Sequence, residues 1–274
     1  MCLRICQNFY CIFALLKKGE RAVNRYFIYL AYNGTRHCGW QNQPNGMSVQ
    51  QRLEETLSKV LRQDISIVGA GRTDAGVHAR MMVAHFDVTE ALENTALLVG
   101  KLNNMLSKDI AVYKIVPVRE DAHARFGALS RTYEYLLSDQ KKPFNYEYIY
   151  RTPLRNMDFK AMNEACAVLF DYADFTSFSK LHTDVKTNYC HIREAGWKKV
   201  GDIWVFTIKA DRFLRNMVRA IVGTLFDVGR SKISIDDFRK IIEAKDRRIA
   251  GMSVPPEGLA LTDIEYPNDI FLES

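Results

Sequence analysis

ISIVGAGRTDAGVHARMMVAHFDV, residues 65–88, sets two strand-like runs on either side of a glycine-punctuated loop, with no helical pattern between them. Residues 65–70 and 81–88 are apolar and rich in branched side chains, and residues 71–79 form the connection. Upstream, residues 25–32 (RYFIYLAY) read as a strand ending at the Asn33-Gly34 turn signal. Val49, Leu53, Leu57 and Val60 then recur at helical spacing to about Gln63, with Ser48 and Gln51 in capping-box register. Downstream, residues 91–106 are helical in pattern and residues 110–118 return to strand. The order strand, helix, strand, strand, helix, strand is that of a split βαβ, or ferredoxin-like, unit.

The second half repeats the pattern without repeating the sequence. Residues 129–137 read as a strand, 157–172 as a helix, and 192–200 with 203–210 as a hairpin around Gly201-Asp202. A long helix over 212–228, an extra one over 235–245 capped by Ser234, and a closing strand over 259–266 complete it. The predicted fold class is α+β: two tandem ferredoxin-like lobes, residues 25–120 and 121–274, whose mostly antiparallel sheets join around a central cleft. That cleft is the default place for a site.

With 47% hydrophobic and 26% charged residues over 274 positions, the chain has the composition of a globular protein, which excludes disordered, collagenous and small disulfide-rich classes. Lys and Arg outnumber Asp and Glu by 38 to 32, a net charge of +6 that tilts the partner expectation toward polyanions. Cys2, Cys6, Cys11, Cys38, Cys166 and Cys190 contain no C-x-x-C pair, and the six histidines show no ligand spacing, so no metal is assigned and the thiols read as reduced, in a cytoplasmic protein. The apolar stretch 11–16 is too short to span a bilayer and no small-x-small cleavage site follows, so residues 1–24 read as an extension of doubtful status.

Three features can carry chemistry. In GAGRTDAGVHA, residues 69–79, three glycines permit close backbone approach, and Arg72 and Asp74 can face one another across a tight turn; the same letters also suit a turn with no further role. The loop lacks the order of a phosphate loop or a dinucleotide fingerprint. Arg212, Arg215 and Arg219 fall at helical spacing on one stripe of an otherwise apolar segment, where a guanidinium needs a carboxylate or phosphate partner, or simply faces water. In RTYEYLL, residues 131–137, Arg131, Tyr133 and Tyr135 share one strand face, either a platform for an unstacked base or an ordinary half-buried strand.

GRTDAGVHA at 71–79 resembles the signature loop of the bacterial tRNA pseudouridine synthase A family. RTYEY at 131–135, FLRNMVRAIVGTLFDVG at 213–229, AGMSVPPEGLALTDIEYP at 250–267 and YNGTRHCGWQNQPNGMSVQ at 32–50 are similar to further stretches of that family, so the resemblance runs from about residue 25 to the end. It implies that Asp74 is the catalytic aspartate, Arg72 a contact to the flipped nucleotide, Tyr133 the ring stacked on the target uracil and Arg219 the partner of Asp74. It implies no cofactor, a homodimer, and the tRNA anticodon stem-loop as substrate, with uridines 38, 39 and 40 as targets. Arg212, Arg215, Lys180 and Lys186 are candidates for phosphate contacts. The chain departs from the family pattern at Met82 and at Val254-Pro255-Pro256-Glu257, and residues 1–24 precede the usual family start.

The chemistry suits these residue types. Breaking the C1′–N1 bond of uridine, turning the base and joining C5 to C1′ is an isomerisation that one carboxylate can serve, by attack at C1′ or by removal of a sugar proton to a glycal. A non-catalytic RNA-binding or tRNA-folding protein on the same scaffold is the competing reading; a metal-dependent nuclease lacks clustered carboxylates near the loop.

Overall fold

The computed structural model describes residues 23–44, 46–180 and 187–272. Its strands are β1 (Asn24–Tyr32), β2 (Ile67–Gly69), β3 (His78–Val88), β4 (Ile110–Val118), β5 (Ser130–Ser138), β6 (Tyr150–Arg151), β7 (Ile192–Val200), β8 (Ile203–Ala210) and β9 (Leu259–Glu265). The helices are α1 (Val49–Leu61), α2 (Thr95–Met105), α3 (Phe159–Val168), α4 (Met217–Gly229) and α5 (Ile235–Glu243). The fold is α+β, as expected, and its sheet is open and mostly antiparallel, in the order β4-β1-β3-β9-β5-β8-β7, with β2 beside β3 and β6 beside β5. The chain thus lays down β4-β1-β3-β2 and then, in the same relative order, β9-β5-β8-β7.

The two sets meet because β2 is short. Glu54 of α1 accepts the Ile67 N–H at 2.9 Å and Ser58 accepts that of Ile65 at 2.9 Å, so helix side chains take the backbone bonds that would have extended the strand over residues 65–70. β2 pairs only with one end of β3, Ile67 opposite Phe86 and Gly69 opposite Ala84. The open remainder of that edge is taken by β9, which runs parallel, His78 opposite Ala260 and Ala79 opposite Leu261. An unpaired edge would leave backbone groups unsatisfied, and β9 satisfies them. The loop between β2 and β3 leaves the sheet at this seam.

Helix termini differ from the periodicity where polar side chains intervene. The long helix expected over 212–228 begins only at Met217, because Asn216 at its N-cap is left-handed (φ 66°), a conformation that asparagine tolerates better than most residues. Arg212 and Arg215 therefore lie in a loop and share no helical stripe with Arg219. The helix expected from residue 91 starts at Thr95, capped by the Asn94 side chain. Ser48 caps α1 through the Gln51 N–H at 3.0 Å, but the Gln51 side chain donates to Glu55, so that capping box is half formed. A full box, Ser234 with Asp237, opens α5.

Helix α4 is the most deeply buried element: Met217, Val218, Ala220, Ile221, Val222, Leu225, Phe226 and Val228 are all within the core, each apolar side chain of Val size or larger contributing roughly 1.5–3 kcal/mol. Its Gly223 lies under residues 252–254 so closely that a Cβ would sit 1.8 Å from the Met252 carbonyl oxygen. Only a glycine lets that segment cross the helix.

Arg131 of β5 is buried at 8% exposure and forms no ion pair among the described residues. Its guanidinium instead donates to four backbone carbonyls in three segments: Nη1 to Ala128 (3.2 Å) and Asp211 (2.8 Å), Nη2 to Ala70 (2.9 Å) and Arg125. Carbonyl acceptors on every side offset the desolvation of the cation. The expected base platform of Arg131, Tyr133 and Tyr135 thus loses two members: Arg131 is a structural hub beneath three loops, and Tyr135 is fully buried.

Nearby, the buried His85 accepts the Ala124 N–H through Nδ1 at 3.1 Å. Burial, with Arg25 and His123 adding like charge, pushes His85 down to about 4; burial also lowers His78 and His123.

Two outcomes are expected. Replacing Arg131 by Met, which keeps the stem and removes the donors, should lower stability by at least about 2 kcal/mol in urea unfolding, since buried carbonyls lose their partners. Histidines whose pKa is depressed by folding bind protons on unfolding, so stability should be full above about 6.5 and decline as pH falls toward 4, and His85→Gln should flatten that decline. A urea midpoint independent of pH across this window would contradict the assignment.

Candidate active site

The chain from Ala70 to Val77 is held from several sides. Its tightest bend is the turn from Asp74 to Val77, where the Val77 N–H donates to the Asp74 carbonyl at 3.1 Å. Gly76 at the third position has φ +79°, the conformation that a type II turn requires there. Thr73 is buried, its hydroxyl sharing a 2.8 Å hydrogen bond with Tyr32 of β1, and its carbonyl accepts the Trp40 N–H at 3.2 Å. At the far end, His78 accepts the Gly34 N–H through Nδ1 (3.0 Å), which leaves Nε2 to donate to the Glu257 carbonyl at 3.1 Å. The backbone around Asp74 is therefore tied to β1, to residues 34–40 and to the segment before β9.

Asp74 projects from this turn with 26% of its side chain exposed. Arg219, on the first turn of α4, donates from Nη1 to Asp74 Oδ2 at 3.2 Å. The same guanidinium donates from Nε to the Val254 carbonyl at 2.8 Å, and the Val254 N–H returns a bond to the Arg219 carbonyl at 3.1 Å. Arg215 approaches the other carboxylate oxygen less closely, with Nε 3.9 Å from Oδ1. One oxygen is thus firmly held, and the other lies beside a more exposed cation.

Tyr133 on β5 is 8% exposed and packs at right angles to Phe213, with ring centroids 5.2 Å apart. Burial pushes its phenol up to about 12, with Arg131 opposing and the Asp74 charge adding to the rise. Two residues on, Tyr135 donates its hydroxyl to the Pro255 carbonyl at 3.1 Å. A half-open carboxylate beside an aromatic ring can act as nucleophile or base toward a planar substrate laid against that ring.

The structure brings together Asp74, Arg219, Arg215 and Tyr133. It does not pair Arg72 with Asp74: Arg72 is exposed, and the carboxylate is held by Arg219 instead. Arg212 reaches the Thr187 hydroxyl at 3.4 Å, and Lys180 is exposed, its N–H bonded to the Arg215 carbonyl at 3.0 Å. Lys186 lies outside the described residues, as do residues 1–22 of the expected extension. Sequence reasoning missed the work of residues 252–258, where carbonyl after carbonyl is used as an acceptor. The signal was present in the prolines and glycines of AGMSVPPEGL, which mark an extended, close-packed strap. It also missed Arg131 as a hub, since a guanidinium bound only to backbone carbonyls has no partner residue to find in the sequence.

Concavity alone does not single out this place. Hollows lined by Arg25, Tyr26 and residues 117–121, and by Lys141, Lys142 and Tyr146, lie elsewhere. Among the described residues no cluster of three His, Cys, Asp or Glu is placed to hold a metal ion, and no helix is long and apolar enough to cross a membrane.

The sequence profile of the family described as tRNA pseudouridine synthase matches residues 28–127 and 166–267, both sides of the seam. A protein of Parabacteroides distasonis named tRNA pseudouridine synthase A is 64% identical over 249 residues, covering 91% of this chain and 98% of its own length. Proteins of the same name from Bacteroides thetaiotaomicron and from a Geobacter species are 58% identical (92% of this chain, 94% of theirs) and 40% identical (88% and 98%). Matches of this identity over nine-tenths of the chain, in a fold of the expected class, establish that the protein belongs to the tRNA pseudouridine synthase family.

Proposed function

We propose that the protein isomerises uridines 38, 39 and 40 of the tRNA anticodon stem-loop to pseudouridine, with Asp74 as the catalytic carboxylate. It does so in the cytoplasm, as a homodimer and without a cofactor. The observation that carries the reading is the 3.2 Å pair of Asp74 with Arg219 beside the buried ring of Tyr133, in a chain of this family. The target uridine, stacked in a stem, is turned out of the helix and laid against Tyr133, at a cost of a few kcal/mol offset by stacking and phosphate contacts. Asp74 then either attacks C1′ or removes a sugar proton; either way the C1′–N1 bond breaks. The base turns and C5 joins C1′, which releases the Asp74 ester on the first route and is accompanied on the second by return of the sugar proton from Asp74; the C5 proton is then lost while N1 gains one, so atoms balance without an oxidant. Tyr133, neutral well above pH 7, is a candidate to assist that last proton transfer.

Arg219 orients Asp74, and Arg72, Arg212 and Arg215 serve as contacts to the RNA. The exposure of Arg72 supports a role toward the nucleotide rather than toward Asp74. The competing reading, an RNA-binding or tRNA-folding protein without catalysis, predicts that Asp74 is dispensable.

Tritium release from tRNA transcript labelled at uracil C5 separates the two. The parent should release tritium with or without chelator, and Asp74→Asn should reduce release at least about 10³-fold while tRNA binding persists. Tight binding with no release from the parent would favour the non-catalytic reading. Arg219→Lys keeps a charge but cannot hold Val254 and Asp74 in one plane, so kcat should fall about 10- to 100-fold with a smaller change in KM. An unaltered kcat would show that the pairing does not orient the carboxylate.

A further inference from the structure

Phe126 is 78% exposed on a short loop between β4 and β5 that is otherwise tied down at nearly every residue. The Ala124 N–H donates to His85, and the Ala124 carbonyl accepts from the Tyr266 hydroxyl at 2.6 Å. His123 Nδ1 faces the N–H groups of both Arg125 (3.1 Å) and Phe126 (3.2 Å), the Gly127 N–H returns to the His123 carbonyl at 2.8 Å, and Arg131 holds the Arg125 carbonyl. A loop this constrained presents its side chains rigidly. What it presents is an aromatic ring beside an imidazole, with His123 and Phe126 centroids 4.4 Å apart, and under a cation, with the Arg125 guanidinium 5.6 Å from the phenyl centroid.

The loop's position follows from Arg131. That single guanidinium binds the carbonyls of Ala70, Arg125 and Asp211, so the backbone leading to Arg72, Arg125 itself and the residue before Arg212 converge on one point. Arg72 and Arg212 are near enough to lower the pKa of Arg125, after the larger effect of its own burial. Among the described residues none of the three forms an ion pair with a carboxylate. Three arginines gathered without counter-charge repel one another, and a polyanion relieves that repulsion. A rigid, exposed ring among them adds a surface on which a base can stack.

We infer that Arg125 and Phe126 form an additional RNA contact beside the catalytic cleft, Phe126 stacking on a nucleobase next to the target uridine and Arg125 binding a neighbouring phosphate. The inference rests on the proposed tRNA substrate. Stacking on a phenyl ring is tolerant of base identity, so this contact holds the strand while leaving the flipped nucleotide to Tyr133 and Asp74.

The test uses full-length protein and unmodified tRNA transcript. Phe126→Ala should raise KM and the dissociation constant about 5- to 150-fold, the range for losing one aromatic stack, with kcat close to the parent's and the salt dependence of binding unchanged. Phe126→Trp should restore binding. Arg125→Gln should instead reduce the slope of log K against log salt by about one unit. Parental KM and salt slope in both variants would overturn the inference, as would a failure of Phe126→Ala to fold, which would make the ring structural. The parent's own tritium release reports separately on the enzymatic reading: release by the parent together with unaffected variants removes only this contact.

Discussion

Arg219 makes two bonds in one plane, to the Val254 carbonyl and to the Asp74 carboxylate, and the arrangement of the whole site depends on that geometry. A guanidinium is rigid, so the position of Val254 determines where Asp74 Oδ2 can be held. Val254 in turn lies where it does because Gly223 lets residues 252–254 press against α4. Three distant parts of the chain, a loop between strands of the first half, a helix of the second and the strap before the last strand, are thereby reduced to one local geometry. The carboxylate meets a cation without being sealed from solvent.

The seam explains why the site forms here. β2 stops after three residues because Glu54 and Ser58 of α1 take backbone donors near it, and the edge of β3 that this leaves open accepts β9. The loop bearing Asp74 runs out of the sheet at that junction, so strands of both halves flank it. Tyr133 and Tyr135 come from β5, one strand beyond β9, and share one strand face, Tyr133 beside the site and Tyr135 fully buried against the Pro255 carbonyl. Arg131, two residues before Tyr133, turns the same face into a support by binding the carbonyls of three loops.

The net charge of +6 is modest for a chain of this length, and its distribution matters more than its sum. Arg215 and Arg219 approach Asp74, while Arg72 and Arg212 lie near enough to Arg125 to act on its charge. Surface pairs such as Arg119 with Asp121 or Arg248 with Asp246 are exposed and locally neutralised, and they add little. Arg72, Arg125 and Arg212 form no ion pair among the described residues, so their charge is not locally neutralised.

Much of this was legible in the chain itself. Periodicity located nearly every strand and helix, because alternation and 3.6-residue spacing are local consequences of burying one face. The glycines and the aspartate of GAGRTDAGVHA marked the loop, since a left-handed φ at Gly76 is a demand that the residue type reveals. Residue type alone left Tyr133 and Arg219 open, and only the family resemblance singled them out. The start of α4 was misread because a single left-handed Asn216, stabilised by a distant Ser253, overrides an apolar periodicity that continues through it. The roles of Arg131 and Val254 were invisible because backbone carbonyls are the same in every residue, so only tertiary structure can say which ones a guanidinium meets. Local pattern determined the elements and the candidate residues; the contacts that turn a carboxylate and an arginine 145 positions apart into one site were decided by strand pairing across the seam.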